Sequence, residues 1–435
     1  MIAIVGAGAC GLVAALTLKD AGVECVVLER DALPSGSTAL SSGFIPACAT
    51  RWQKAIGVED SVEGFFLDIQ EKNRHGANRE VAKAAVAIIG PSLEWLADRH
   101  GIPFHVLEGF LYPGHSVARM HAVPEKTGAG LMGRLLAAAQ KAEVDLLTNA
   151  LVVDVQFNKV TIKRPDNSKE DIACDAVLLA CNGFGGNREM VRRYIPAIAD
   201  AEYAGHAGNQ GDAVRWGSAL GAKLADMGAY QGHGAWAVPH GKLLTWALMT
   251  EGGIQVNALG KRFADEHQGY SEAAEAVLAQ PGRFAWSIYD ERLHRLGMTF
   301  PDYVELHAAG AIRTAANVEA FAVVTGLPRK ALEEEIQKFN PPYYGVKVTG
   351  ALFHTQGGLE IDAGARVLDA HGQPLPNLYA AGGAARGLSG AHVWGYLSGN
   401  GLLSAVALGR IAGLALSPPS RRNPSPRAPR ASRPR

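Results

Sequence analysis

The sequence predicts an α/β protein: a discontinuous, Rossmann-like dinucleotide-binding domain interrupted by an inserted α+β capping domain. Three observations predict it. The chain opens on a short apolar strand, a glycine turn and a helix, "IAIVGAGACGLVAALTLKD". It closes on a strand-like "NLYAAGG" (377–383) and a glycine-led helix, "GNGLLSAVALGRIAG" (399–413). Between them, from about Met227, tryptophans, histidines and long loops replace the strand–glycine–helix rhythm. The expected division is 1–227 and 346–416 for the nucleotide domain, 228–345 for the cap, and 417–435 for a disordered tail.

Composition bounds the function. The 435 residues suffice for one large or two ordinary domains, and 48% are hydrophobic, enough for a sizeable core. Lys plus Arg and Asp plus Glu both number 42, so no global charge draws the chain to nucleic acid or an anionic membrane. The five cysteines show no C-x-x-C spacing, which argues against a zinc site and a disulfide framework, and no metal is expected. No run reaches the ~18 apolar residues of a membrane span. The apolar start reads as a buried strand and not as a signal peptide, since no basic region precedes it. A cytoplasmic location is expected. The tail "SPPSRRNPSPRAPRASRPR" has almost nothing to bury and should be disordered.

The opening segment carries the first chemistry. Ile2 to Val5 is the unbroken apolar run of a central parallel strand. Gly6, Gly8 and Gly11 fit G-x-G-x-x-G, with Ala9 and Cys10 inside the turn. The first glycine permits the turn, the second a pyrophosphate's approach, the third close helix–strand packing. The helix start then points its N–H groups at phosphates. Glu29, with Arg30 beside it, ends the second strand where a carboxylate accepts ribose hydroxyls. This signature does not separate NAD from FAD. The loop "SGSTALSSGF" (35–44) favours FAD, because its small residues suit a second approach to the pyrophosphate and flavin edge. Its candidates are Ser37, Thr38, Ala39, Ser42 and Gly43.

A glycine-led helix follows at 127–144, then alternating strands around the turn "RPDNSKED", with Val152 a cofactor candidate. The apolar strand Ala176 to Ala180 runs into "CNGFGGN", a second strand-to-glycine turn that adds Ala180, Asn182 and Gly183. "GNQGDAVRWG" supplies Asp212 at a helix start. At the far end Gly382, Gly383, Asn400 and Leu402 sit where bare N–H groups and a helix N-terminus face the negative N1/O2 edge of a reduced flavin.

The chain to about residue 416 resembles the fumarate reductase/succinate dehydrogenase flavoprotein superfamily, with its soluble fumarate reductases, tricarballylate dehydrogenases and ketosteroid Δ1-dehydrogenases. The resemblance rests on "VGAGACG", "GSTALSSG", "CNGFGGN", "NQGDAVRWG", "VNALGKRFADE", "PPYYGVKVTGALFHTQGGL" and "LPNLYAAGG" in order. It implies an FAD domain, a cap, and hydride exchange between a substrate carbon and flavin N5. The position of the covalent flavin-histidine falls on Ser37, which implies non-covalent FAD. The acidic residue that often follows "AAG" is Gly383, so one ribityl contact is missing. The proton-donating arginine four residues beyond "RF-x-x-E" is Tyr270, and the carboxylate-gripping arginine is Tyr396. Ketosteroid dehydrogenases carry tyrosines at both places, while His354 matches a substrate-binding histidine of fumarate reductases.

Without both arginines a small dicarboxylate loses its bidentate clamp. The expected activity is therefore desaturation of a CH–CH bond next to a carbonyl, with Tyr270 as base and Tyr396 and His354 as donors to the oxygen. The alternative is reduction of an enone or enoate. The substrate is a small carbonyl or carboxylate compound. No haem or iron–sulfur cysteine set is present, so electrons pass to an external acceptor or come from an external donor. A base tyrosine needs help, for which His267 and Arg262 are near in sequence. Tyr112 and Arg386 are weaker candidates for the cleft.

Overall fold

The computed structural model describes residues 1–418, so the expectation of a disordered tail falls almost wholly outside the described residues. Ile2–Val5 is an inner strand of a six-stranded sheet. Its order is Arg366–Leu368, Pro374–Ala380, Ala176–Leu179, Ile2–Val5, Cys25–Leu28, Asp145–Leu147. Every pair is parallel except the first, which is antiparallel. Ile2–Val5 and Ala176–Leu179 are buried at every residue, which is why both read as unbroken apolar runs. Pro374–Ala380 runs beside Ala176–Leu179, with Val177 opposite Leu378, so the two ends of the chain share one sheet. The closing helix Asn400–Ala415 packs on the opening helix Ala9–Asp20.

The middle segment builds a second sheet: Lys242–Leu243, Tyr230–Ala237, Tyr343–Thr355, Ala285–Asp290, Ile254–Val256. Glu202–Tyr203 and Ile312–Ala315 also pair with Tyr343–Thr355. That 13-residue strand is the spine of the sheet, and it runs straight across the expected boundary at 345/346. A chain break between domains would fall in an exposed linker, whereas here a ladder continues to Thr355. Thr355 Oγ1 then accepts the Phe184 N–H at 3.2 Å, so the strand delivers His354 to the nucleotide side. Trp246, Tyr289, Tyr303 and Phe321 fill the core beneath this sheet, which also takes in Phe44, Met120 and Tyr396.

Two local differences from expectation matter for the site. The stretch 35–44, read as a loop, contains the helix Gly36–Leu40, which turns Thr38 inward so that its Oγ1 accepts the Ala9 N–H at 3.0 Å. Residues 51–126, which carry no glycine signature, hold the helices Val62–Lys72 and Arg79–His100. Arg119 is buried between Asp60 and Asp68 and ties the first of these to the Met120–Ala122 strand segment.

Candidate active site

The glycine turn is shaped by what a side chain would strike. A Cβ on Gly6, where φ is +106°, would lie 2.7 Å from the Ala180 carbonyl oxygen. One on Gly11 would lie 2.0 Å from the Gly6 oxygen. One on Gly8 would meet nothing nearer than Thr38 Oγ1 at 3.4 Å, so its backbone faces open cleft. At the tip of the second strand Glu29 is buried and oriented. Its Oε2 accepts the Ala7 N–H and its Oε1 the Asp31 N–H, both at 3.0 Å. Arg30 is held by the Gly208 carbonyl at 2.7 Å.

One continuous cleft, about 1850 Å³ of empty space with its mouth, gathers most of the expected residues. The opening segment contributes Gly6, Gly8, Ala9, Cys10, Glu29 and Arg30. Residues 35–44 contribute Ser37, Thr38, Ser42 and Gly43. Val152, Ala180, Asn182 and Asp212 come from the middle of the nucleotide segment, and Gly382, Gly383 and Leu402 from the far end. Four expected residues are not in the wall. Gly11 serves packing, as above. Ala39 packs on the main core. The space beside Gly183 is filled by Thr355 Oγ1, 1.9 Å from where its Cβ would be. Asn400 is fully buried and turned to Ser389.

The cleft fits FAD. Two helix starts, at Gly8–Cys10 and at Gly399–Leu402, enter its wall and offer dipole and N–H groups at opposite ends of the chain. Ser37 Oγ accepts from Asn182 Nδ2 at 2.8 Å and Asn209 Nδ2 at 2.9 Å. Gly383 has no room for an acidic residue: a Cβ would lie 2.2 Å from Asn182 Oδ1, and that oxygen is fixed by the Gly183 N–H at 2.8 Å.

Beyond the flavin end the wall turns aromatic. The cap contributes His233, Trp246 and Tyr270, and the nucleotide side contributes Tyr112, Phe353, His354 and Tyr396. Tyr270 and Tyr396 rings stand 6.0 Å apart, Tyr112 and Tyr270 6.2 Å, His354 and Tyr396 5.7 Å. Tyr396 Oη accepts the Gly401 N–H at 3.4 Å. Burial pushes the Tyr270 phenol up to about 12, against donors from Ser398, Tyr396 and the Gly399 N–H. Burial and the neighbouring Tyr270 hold Tyr396 well above the ordinary tyrosine value.

Both imidazoles are neutral. Burial holds His354 down at about 4 and His233 at about 3. His233 Nδ1 accepts the Ala235 N–H at 3.1 Å, which leaves the proton on Nε2. A buried hydrogen-bonded file, Asn400–Ser389–Gln356–His354 with steps of 3.2, 2.8 and 3.1 Å, orients the second imidazole. Asn400 thus reaches His354 through two intermediaries, Ser389 and Gln356.

The sequence-adjacent helpers are elsewhere. Arg262 is an exposed partner of Glu266, and His267 is exposed. Arg386 is spent on Asp226 at 2.5 Å and Glu360 at 3.0 Å. His233, Trp246, Thr245, Ser398 and Asn209 were not legible. A histidine within "YQGHGAWAV" has no spacing that marks it, because the sheet pairing and not the local sequence turns it to the cleft. Among the described residues no group of three His, Cys, Asp or Glu could hold a metal ion, and the five cysteines are free. No helix among them is long and apolar enough to cross a membrane.

A parallel sheet with a glycine turn, a second flavin-side helix start and an aromatic cleft under a cap defines an FAD-dependent oxidoreductase acting on CH–CH groups. Residues 2–402 match the FAD-binding domain family, and the chain belongs to that family. It is 28% identical over 442 residues to a probable fumarate reductase of Shewanella frigidimarina, covering 95% of this chain and 74% of that one. The open conformation of a flavocytochrome c3 fumarate reductase superposes with TM-score 0.80 at 27% identity, covering 95% and 77%. The 3-ketosteroid-Δ4-(5α)-dehydrogenase of Rhodococcus jostii RHA1 shares the fold, with TM-score 0.75 at 24% identity, covering 95% and 96%.

Proposed function

We propose that the protein desaturates a CH–CH bond beside the carbonyl of an uncharged substrate. The observation that carries this reading is the Tyr270–Tyr396 pair in a cleft without a cation to meet a carboxylate. Arg30 is the only arginine or lysine among the described lining residues, and it lies at the nucleotide end, bonded to Gly208. A dicarboxylate would leave buried charge unpaired there.

Bound non-covalently, FAD supplies the two-electron acceptor for the hydride that leaves the β-carbon. Gly8, Glu29, Ser37, Thr38 and Asn182 would hold it. Tyr270, in its phenolate form, takes the α-proton, so the step speeds up as pH rises toward the high value at which burial holds this group. Tyr396 and the Nε2–H of His233, with the His354 imidazole beside them, hold the carbonyl oxygen and stabilise its developing charge. The two phenols, with ring centroids 6.0 Å apart, divide these roles between base and donor. The two electrons then leave to an external acceptor molecule.

A second reading runs the reaction backwards, as reduction of an enone fed by an external donor. It is favoured by the high proton affinity of Tyr270, which keeps it a phenol able to protonate the α-carbon near neutral pH. Anaerobic mixing separates the two. Bleaching of the flavin by the saturated 5α form of 4-androstene-3,17-dione, but not by succinate, supports desaturation. Reoxidation of reduced enzyme by the enone, with no bleaching by the saturated ketone, supports reduction. A response to succinate or fumarate alone would overturn both.

A further inference from the structure

The segment that places Tyr270 is held from outside the cap. Lys72 ends the helix Val62–Lys72 on the nucleotide side, and its Nζ reaches across to the cap. It donates to the Gln268 carbonyl oxygen at 2.7 Å and pairs with the Glu272 carboxylate. These partners stand two residues before and two residues after Tyr270. Both side chains are largely shielded, Lys72 at 12% and Glu272 at 17% exposure. Between them Gly269 adopts φ +130°, where a Cβ would lie 2.7 Å from Glu272 Oε2. That bend, closed to other residues, leads directly into the helix Tyr270–Leu278.

The platform under Lys72 is rigid. Asp68, one turn earlier on the same helix, is gripped by buried Arg119, which also holds Asp60 in two parallel bonds of 2.8 Å. Asn73, the next residue, donates to the Leu388 carbonyl at 3.1 Å. Glu272 Oε2 has no hydrogen-bond partner, and among the described residues Lys72 is the cation paired with this carboxylate.

We infer that Lys72 is the positioning residue for Tyr270, clamping the Gln268–Glu272 segment to the nucleotide side and cancelling the Glu272 charge beside the phenol. The inference rests on the reading of Tyr270 as the proton-transfer group. The charged and titratable groups facing this region are few. Lys72 and Glu275 act on Glu272, and Tyr112, His233 and Tyr396 surround Tyr270. Glu272 raises the proton affinity of Tyr270, so the two members of the pair act on it with opposite sign.

The test uses the FAD-loaded full chain and four variants, K72M, K72R, E272Q and K72M/E272Q, with anaerobic bleaching by 5α-androstane-3,17-dione followed against pH. K72M should lower the limiting rate about 10²-fold with little change in half-saturation, because the base is misplaced and not the binding wall. The limb on which its rate rises with pH, set by Tyr270, should move to higher pH and that of E272Q to lower pH, each by about one unit. K72R should restore the wild-type profile. A purely structural role would move both limbs together or neither, and that result overturns the inference. Amide hydrogen exchange over 266–278 is read on the same samples and needs no substrate. K72M should speed exchange there at least tenfold, and the double variant K72M/E272Q should not recover protection at the Gln268 carbonyl's partner segment. Unchanged exchange in K72M rejects the clamp even if bleaching falls. Should Y270F bleach normally, the base assignment fails separately, and the clamp is judged by exchange alone.

Discussion

The phenol ring of Tyr270 lies face to face with the imidazole of His233, centroids 4.8 Å apart and planes 19° from parallel. Both residues belong to the cap, one at a helix start and one on its central sheet, and their stack fixes the proton-transfer group beside a neutral donor. His233 in turn stacks on Phe353, 5.3 Å away. Replacing His233 with Leu should keep FAD bound but lower the rate of flavin bleaching about 10²-fold, since one donor to the developing oxyanion goes with the stack. Because burial holds this imidazole at about 3, the wild-type rate should show no limb from it between pH 5 and 8. A His233-dependent limb in that window would contradict the neutral-donor role.

Tyr396→Phe removes a hydroxyl that accepts the Gly401 N–H and faces the cleft. The expected loss is about 10²- to 10³-fold in limiting rate, as for removal of one oxyanion donor. Single-turnover bleaching measures it directly. A rate within threefold of wild type would leave Tyr396 as a cleft wall only.

Gly401→Ala separates the substrate end from the cofactor end. Its Cβ would lie 2.6 Å from His354 Nε2, so the imidazole must move while the opening glycine turn is untouched. FAD content should stay near one per chain, and bleaching should slow about 10²-fold. Gly11→Ala does the reverse. Its Cβ would sit 2.0 Å from backbone that cannot yield, and the strain of about 1–3 kcal/mol should appear as cofactor loss on gel filtration.

Acid should destabilise the fold in a defined window. His115, His121 and His354 are held at about 4 and His233 at about 3 by burial. Each folded value lies below that of the unfolded chain, about 6.5. Above 6.5 neither state carries the proton. As pH falls below it the unfolded chain binds protons that the folded one refuses, so stability drops by about 1.4 kcal/mol per pH unit for each histidine, down to about pH 4. Thermal melts between pH 7.5 and 4.5 should show this fall, and His354→Gln should make it shallower. A flat profile would contradict neutral burial.

How far the sequence carries depends on whether a feature is local. Gly6, Gly8, Gly11 and Glu29 are legible because a tight turn, a close approach and a strand tip each demand one residue type at one spacing. The far-end helix start at Gly399 is legible for the same reason. His233 and Ser398 are not, because their place in the cleft is decided by pairing between distant strands and by the chain entering the last helix. Asn400 illustrates the limit in the other direction. It stands at the expected helix start, yet its side chain faces Ser389 and acts through Gln356. Arg262 and His267 were near Tyr270 only along the chain. The bend at Gly269 sends Tyr270 inward and leaves them outside.

The central claim is that Tyr270 moves the α-proton. Its most direct measurement is the single-turnover bleaching rate of FAD-loaded wild type and Y270F with the same saturated ketone, under anaerobic conditions. The substitution keeps the ring, and so keeps the stack on His233. The account predicts a fall of about 10²- to 10⁴-fold with unchanged FAD content. Equal rates in the two proteins would contradict it.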